Sequence, residues 1–217
     1  MKKTLIITLA SMLLCGIASA DKIAHYRFEG NANDETGNYD GTGYGIGYDT
    51  GKIGQAAFFD GVSDYIELTD LGNIHEPISI AMWIHPDYDT SINQSLFGRN
   101  RGDGAGYHYE NELLIAGDSE YFKFGDRAGS PSGDSFVYST VQHQLGQWQH
   151  VAVTRDASNN IQFYFNGLPA GSGVDVYDVY NTNYSYLIGK TNTGHYPYYH
   201  GLIDDVQIFN HVLTAGQ

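Results

Sequence analysis

Few residues in this chain have the types and spacing that chemistry needs, and most of them are carboxylates. The segment Asp60-Gly61-Val62-Ser63-Asp64 reads as a tight turn that sets two acids at one end of a sheet. Gly61 can supply a positive φ there, and the Asp and Ser side chains can bond neighbouring amides. Asp204 is in phase with Val206 and Ile208, so its carboxylate is expected on the buried side of a strand. A buried, unpaired carboxylate is costly, and the remedies are hydrogen bonds or a metal. Calcium, with roughly six to eight oxygen ligands, suits such a group. Glu110 and Glu112, two residues apart, are expected to share one strand face. A retaining glycosidase needs two carboxyl groups about 5–5.5 Å apart, so this pair invites that reading. The nine histidines show no tight ligand pair, and His150 beside Trp148 reads as a packed residue. No catalytic residue is assigned.

Recognition draws on other residues. Tyr107-His108-Tyr109 and Tyr196-Pro197-Tyr198-Tyr199-His200 place aromatic rings beside polar groups. A sugar presents apolar C–H faces and hydroxyl edges, so rings with polar tips suit it, as they also suit protein interfaces. The competing reading is ordinary strand tyrosines, since Tyr favours β structure. Arg99 and Arg101 are scarce positive charges near Gly-rich turns and could meet an acidic glycan. The candidate carbohydrate-binding residues are therefore Arg99, Tyr107, Tyr109, Tyr196 and Tyr198.

These groups need strands to hold them. Ile78, Ile80, Met82 and Ile84 fall on one face of an alternating strand, as do Ile161, Phe163 and Phe165. Turn clusters of Gly, Asn, Asp and Ser recur at short intervals, as an all-β sandwich requires. Residues 148–165 read as a long hairpin, and Asn166-Gly167 turns the chain into a further strand over 168–174. Residues 40–48 alternate Gly and Tyr and read as a loop or weak edge strand. One helical turn near Leu213 is allowed, and no second domain is needed.

Residues 1–20 read as a signal peptide, with Lys2 and Lys3, an apolar run and Ala18-Ser19-Ala20. Secretion, extracellular or periplasmic, is therefore expected, without membrane insertion, because the apolar run is shorter than the ~20 residues of a span. Lipidation at Cys15 is disfavoured by the bulky Leu14 before it. Cleavage would leave residues 21–217 as one domain without cysteine. The net charge of −14 argues against nucleic acid as a partner.

The block GKIGQAAFFDGVSDYIEL over 51–68 resembles a segment of laminin-G-like, concanavalin A-like lectin/glucanase jelly rolls. Residues 25–31, 148–167 and 201–210 are similar to three further blocks of that family, in the same order. The resemblance implies an all-β, two-sheet antiparallel sandwich. It also implies one structural calcium, with Asp34, Asp64 and Asp204 as candidate ligands. The competing reading has Asp34 capping a loop and Asp204 receiving amides. The implied role is non-catalytic recognition of extracellular carbohydrate or a protein partner.

Two alternatives stay open. One is a polysaccharide lyase or glycoside hydrolase with a non-standard site. Jelly-roll glucanases carry E-x-D-x-x-E on one strand, and Glu110 and Glu112 lack its third acid. Tyr121-Phe122-Lys123-Phe124-Gly125 resembles an alginate-lyase piece, but that family's R-x-E-x-R and Q-I-H strands are missing. The other alternative is a structural module of a larger surface protein. The family pattern runs slightly beyond Gln217, which suggests truncation at the C-terminal end.

Overall fold

The computed structural model describes residues 22–68, 71, 74, 77–88, 91–102, 107–128, 133–177, 184–191 and 198–214. Among them there is no helix, and two antiparallel sheets pack face to face. One sheet runs β13 (Leu168–Val174), β12 (Asn160–Phe165), β11 (Gln149–Arg155), β6 (Ile78–Pro86), β15 (His200–Phe209), β4 (Gln55–Asp60) and β3 (Gly47–Thr50), with β1 (Lys22–Tyr26) also paired to β15. The other runs β10 (Asp134–Gln142), β9 (Tyr121–Ala128), β8 (Tyr107–Ile115), β7 (Gln94–Gly102), β14 (Tyr186–Ile188), β5 (Tyr65–Leu68) and β2 (Thr42–Tyr44).

Alternation decides which side chains enter the core. Ile78, Ile80, Met82 and Ile84 of β6 are buried, as are Ile161 and Phe163 of β12. They meet Phe97, Leu113, Ile115, Phe122 and Phe124 in one continuous core. Burial of each such side chain contributes about 1.5–3 kcal/mol. The hairpin β11–β12 turns through Asp156, whose Oδ1 accepts the amides of Ser158 (2.8 Å) and Asn160 (2.9 Å). Asn166 (φ 48°) and Gly167 (φ 81°) then form a left-handed two-residue turn into β13, as their types predict. The Gly- and Tyr-rich stretch becomes two short edge strands, β2 and β3, one in each sheet. Residues 211–214 form no helical turn.

Two left-handed residues break the alternation. In β8 the register slips on both sides of Asn111 (φ 48°), so two residues of β8 face one on each neighbouring strand. This bulge separates the two acids expected on one face. Glu110 turns inward, where Arg99 grips it through Nε–Oε2 (2.9 Å) and Nη2–Oε1 (2.6 Å). The Tyr186 hydroxyl donates to the same carboxylate at 3.2 Å, and the guanidinium lies 4.7 Å above the Tyr186 ring. Glu112 turns to the opposite face, where the Ser95 hydroxyl donates to Oε1 at 3.1 Å. In β15 the slip occurs between Asp204 and Gln207, with Asp205 at φ 51°.

Asn111 also links the sheets. Its amide N–H donates to Asp126 Oδ1 (2.8 Å), and its side-chain oxygen accepts from Arg155 Nη1 (3.3 Å). Arg155 belongs to the eight-stranded sheet and reaches across to Asp126 Oδ2 at 2.9 Å, with Asp175 Oδ2 at 3.8 Å. Arg155 is fully buried. Removing one partner of a buried pair leaves an uncompensated charge. Arg155→Ala should therefore lower unfolding free energy in urea by about 3–5 kcal/mol. A loss under about 1 kcal/mol would show that the clamp does not hold the sheets.

Glu112 has a different consequence. It is fully buried with Oε2 unpartnered, and burial pushes its carboxyl up to about 8, against the Ser95 hydrogen bond and the Lys123 charge. An unfolded Glu titrates near about 4.3. Between those values the folded chain holds more protons than the unfolded one, so stability falls as pH rises. Glu112→Gln should remove that slope, and the wild type should lose up to about 4 kcal/mol relative to the variant between pH 5 and 8. Parallel urea-derived profiles for the two proteins would contradict this burial.

Candidate functional site

The strands converge on a cleft of about 290 Å³ beside the turn at 60–64, lined by Asp60, Gly61, Tyr88, Gln94, Tyr198 and His200 among others. β4 delivers Asp60, and the residues after β6 carry Tyr88. The start of β7 provides Gln94, and the approach to β15 brings Tyr198 and His200. Gly61 is required here twice over. Its φ is +75°, and a Cβ would lie 2.7 Å from His200 Cβ, so any side chain would push the imidazole off the turn.

Gln94 is 2% exposed and locks both walls. Its Oε1 accepts the His200 amide at 3.2 Å, while its Nε2 donates to the Tyr88 carbonyl at 3.1 Å. The Tyr88 and His200 rings lie 5.8 Å apart at 32°. Tyr88 remains 59% exposed, so its ring is open to a ligand. Asp60 forms the polar floor. Burial raises its carboxyl, but hydrogen bonds from the Ser63, Val62 and Asp64 amides outweigh that and hold it low, as a carboxylate acceptor.

The cleft continues as an aromatic ledge. Lys190 Nζ sits 5.0 Å from the Tyr198 ring centroid and 4.1 Å from that of Tyr65. Tyr65 stacks on Tyr44 at 4.5 Å and 12°, and the Tyr44 hydroxyl donates to Glu67 at 3.2 Å. Tyr88, Lys190, Tyr65 and Tyr44 were not singled out by sequence. Only long-range strand pairing brings them beside Tyr198.

The other expected binding residues lie elsewhere. Arg99 is 1% exposed and gripped by Glu110, so it faces the interior and not a surface ligand. Tyr107 and Tyr109 fall within β8, but their side chains, like Tyr196, lie outside the described residues.

The expected calcium ligands are not brought together. Among the described residues no three His, Cys, Asp or Glu side chains group around one point. Asp34 accepts from the amides of His25 (2.8 Å), Thr36 (3.0 Å), Asn38 (3.2 Å) and Tyr39 (3.1 Å), and from the Thr36 hydroxyl. Burial would raise its carboxyl, but these bonds prevail and lower it. Asp64 accepts from the Asp60 amide at 3.0 Å and the Ser63 hydroxyl at 3.4 Å.

Asp204 differs from both. Ile203 pairs with Ile84 in the core, while Asp204 pairs with the outward Trp83. The bulge at Asp205 has therefore turned Asp204 to the outer sheet face, contrary to the simple alternation with Val206 and Ile208. It is nonetheless 1% exposed, because the 51–55 loop covers it. The Ile53 amide donates to Oδ2 at 2.8 Å, Oδ1 is buried without a partner, and burial raises the carboxyl. A Cβ on Gly51 would lie 2.7 Å from both Asp204 Oδ2 and the Gln55 carbonyl. Glu29 reaches the same loop, accepting from the Gln55 amide at 3.1 Å, and its Oε1 occupies the place a Gly54 Cβ would take. Glu29 Oε1 also faces Arg27 Nη2 at 3.4 Å, so the orphaned buried Oδ1 of Asp204 is the oxygen here with the chemistry a hard cation takes. Nothing in its local sequence marks Glu29, although Gly51 and Gly54 fall where carboxylates press on backbone.

Comparison with known proteins agrees with this architecture. The model of the concanavalin A-like lectin/glucanases superfamily matches residues 60–217. Domain 4 of AbnA, a GH43 extracellular arabinanase from Geobacillus stearothermophilus, solved in complex with arabinotriose, is 28% identical with a TM-score of 0.69, covering 91% of this chain and 96% of that one. The botulinum neurotoxin serotype D binding domain shares the fold at 17% identity and TM-score 0.64, over 90% of this chain and 49% of that one. A mutant Trypanosoma rangeli sialidase does so at 15% identity and TM-score 0.63, over 90% of this chain and 31% of that one. This chain thus spans half or less of the latter two. No curated protein matches it. With the family model covering most of its length, the chain belongs to the concanavalin A-like lectin/glucanases superfamily.

Proposed function

We propose that this domain is an exported, non-catalytic carbohydrate-recognition module whose ligand enters the cleft between Tyr88, Tyr198 and His200. The observation that carries the reading is the pairing of open aromatic rings with fixed polar groups in one cleft. The rings suit the apolar faces of a sugar, and Asp60 and Lys190 suit its hydroxyl edges. Gln94 prepares both walls before binding, which limits the ordering cost. The 28% identical domain solved with arabinotriose supports the ligand class and makes arabino-oligosaccharides the first probes. Export rests on the features of residues 1–20. The non-catalytic role is supported by the splitting of Glu110 and Glu112 to opposite faces, with Glu110 tied to Arg99.

Calorimetric titration with arabinotriose tests the cleft. Tyr88→Ala and Tyr198→Ala should each weaken binding about 10-fold or more, equivalent to about 1.4 kcal/mol, with melting temperatures near wild type. Wild-type affinity in both variants would exclude the cleft.

A structural calcium forms the second part of the proposal. Asp204 Oδ1, with carbonyls of the 51–55 loop, would hold it, and its charge would neutralise the buried Asp204. Calcium at about 100 times its Kd should raise Tm by roughly 5–10 °C, chelator should reverse the shift, and Asp204→Asn should abolish it. Melting curves indifferent to calcium and chelator would contradict the site.

A further inference from the structure

The outer face of the eight-stranded sheet carries a groove that the cleft does not use. Ile161 and Phe163 point into the core, so Gln162 and Tyr164 of β12 point outward. Register then lays out two rows across the strands. One is Ser172, Gln162, Thr154 and Ser79, and the other is Tyr164, Ala152, Ala81 and Gln207. A recess of about 480 Å³ opens over the first row, and one of about 110 Å³ over the second. Tyr164 lines both, so they form one track. The tail after β15 makes a wall. Ser79 Oγ donates to the His211 carbonyl at 2.7 Å and accepts the Leu213 amide at 3.0 Å, which holds Val212 and Leu213 along the groove.

We propose that this groove is a second binding track for a neutral oligosaccharide chain, separate from the cleft at Tyr88 and Tyr198. Its floor alternates small side chains with hydroxyls, and one ring stands midway along it. The hydroxyls of Thr154, Tyr164 and Ser172 make no hydrogen bond with the described residues. Thr154 is 3% exposed, so its hydroxyl lies at the bottom of the recess and not on an open surface. Gln162 Nε2 donates to the Phe163 (2.7 Å) and Gly171 (2.9 Å) carbonyls, which fixes its position and leaves Oε1 as an acceptor. Groups that both donate and accept along a shallow track match the hydroxyls of successive sugar units, and Tyr164 matches a ring face.

Charge selects a neutral ligand. Among the described residues no lysine or arginine lines either recess; His150, the basic side chain of the second, is held towards its neutral form by burial, and Asp156 stands at one end of the first. Its carboxylate is occupied by the Ser158 and Asn160 amides and by Asn160 Nδ2, so it repels an anion without needing a cation. A stable protein partner would need about 800 Å² of surface with an apolar centre, whereas the apolar groups here, Val174 and Val212 among them, are interleaved with Thr154, Gln162 and Ser172.

The two sites lie at opposite ends of β6. Thr154 pairs with Ser79, while Tyr88 follows Pro86, a separation of roughly 23 Å along an extended strand. A long polysaccharide could therefore engage both, and binding to polymer would gain from avidity without new contacts.

Affinity electrophoresis of the full chain through gels containing arabinan, xylan or mixed-linkage glucan tests the inference. Thr154→Val and Tyr164→Ala, separately, should weaken retention at least 5-fold in the gel that retards the wild type. Tyr88→Ala with Tyr198→Ala should leave measurable retention, and combining both sets should abolish it. Thr154→Val preserves side-chain volume, and an unchanged Tm confirms that it folds. If both groove variants migrate as wild type, or the cleft variant alone abolishes retention, the second track is excluded while the cleft reading stands. If the groove variants abolish retention and the cleft variant does not weaken it, the cleft reading fails instead. A wild type retarded by none of these polymers overturns both.

Discussion

Charge, and not hydrocarbon alone, holds the two sheets at one end of this sandwich. Arg99, Glu110, Tyr186, Asn111, Asp126 and Arg155 form an unbroken run of hydrogen bonds and ion pairs from β7 to β11. Cys15 is the sole cysteine, so no disulfide can join the sheets, and Arg155 makes the crossing non-covalently. Buried charges gain little over hydrophobic packing, but they tolerate only one geometry. The run closes only if Asn111 adopts its left-handed conformation, and that bulge sets the side-chain phase along the rest of β8.

Phase explains where chemistry does and does not collect. A bulge at Asn111 sends Glu110 inward and Glu112 outward, so two acids adjacent in the strand pattern never face a common substrate. A bulge at Asp205 sends Asp204 outward beneath the 51–55 loop, where the Ile53 amide meets it. Both bulges thus redirect carboxylates while leaving the hydrophobic pattern nearly intact. The recognition we propose uses instead the sheet's end and outer surface, where tyrosines stand beside fixed amides and hydroxyls.

Much of the fold was readable in the sequence. Periodicity in Ile78, Ile80, Met82 and Ile84 reports burial directly, and Asn166-Gly167 specifies its own turn through backbone preference. These are local signals. Tyr198 stands out in sequence through Pro197 beside it, which disfavours a core strand, and the structure sets it in the end cleft. The rest depends on contacts distant in sequence. Arg99 looks like a surface cation until Glu110 is paired opposite it, and Glu29 looks like a solvated acid until the Gln55 amide, 26 residues later, donates to it. A single left-handed residue leaves no mark on composition, so alternation alone puts Asp204 on the wrong face. Tyr88 and Lys190 became visible only when β4, β6, β14 and β15 met.

Amide chemical-shift mapping during titration with arabinotriose tests the proposed binding of sugar at the end cleft without any substitution. The largest saturable shifts are expected at Gly61, Gln94, Tyr198 and His200. Saturable shifts confined to β8 and β9 around Glu112 and Lys123, with the cleft resonances unmoved, would contradict it.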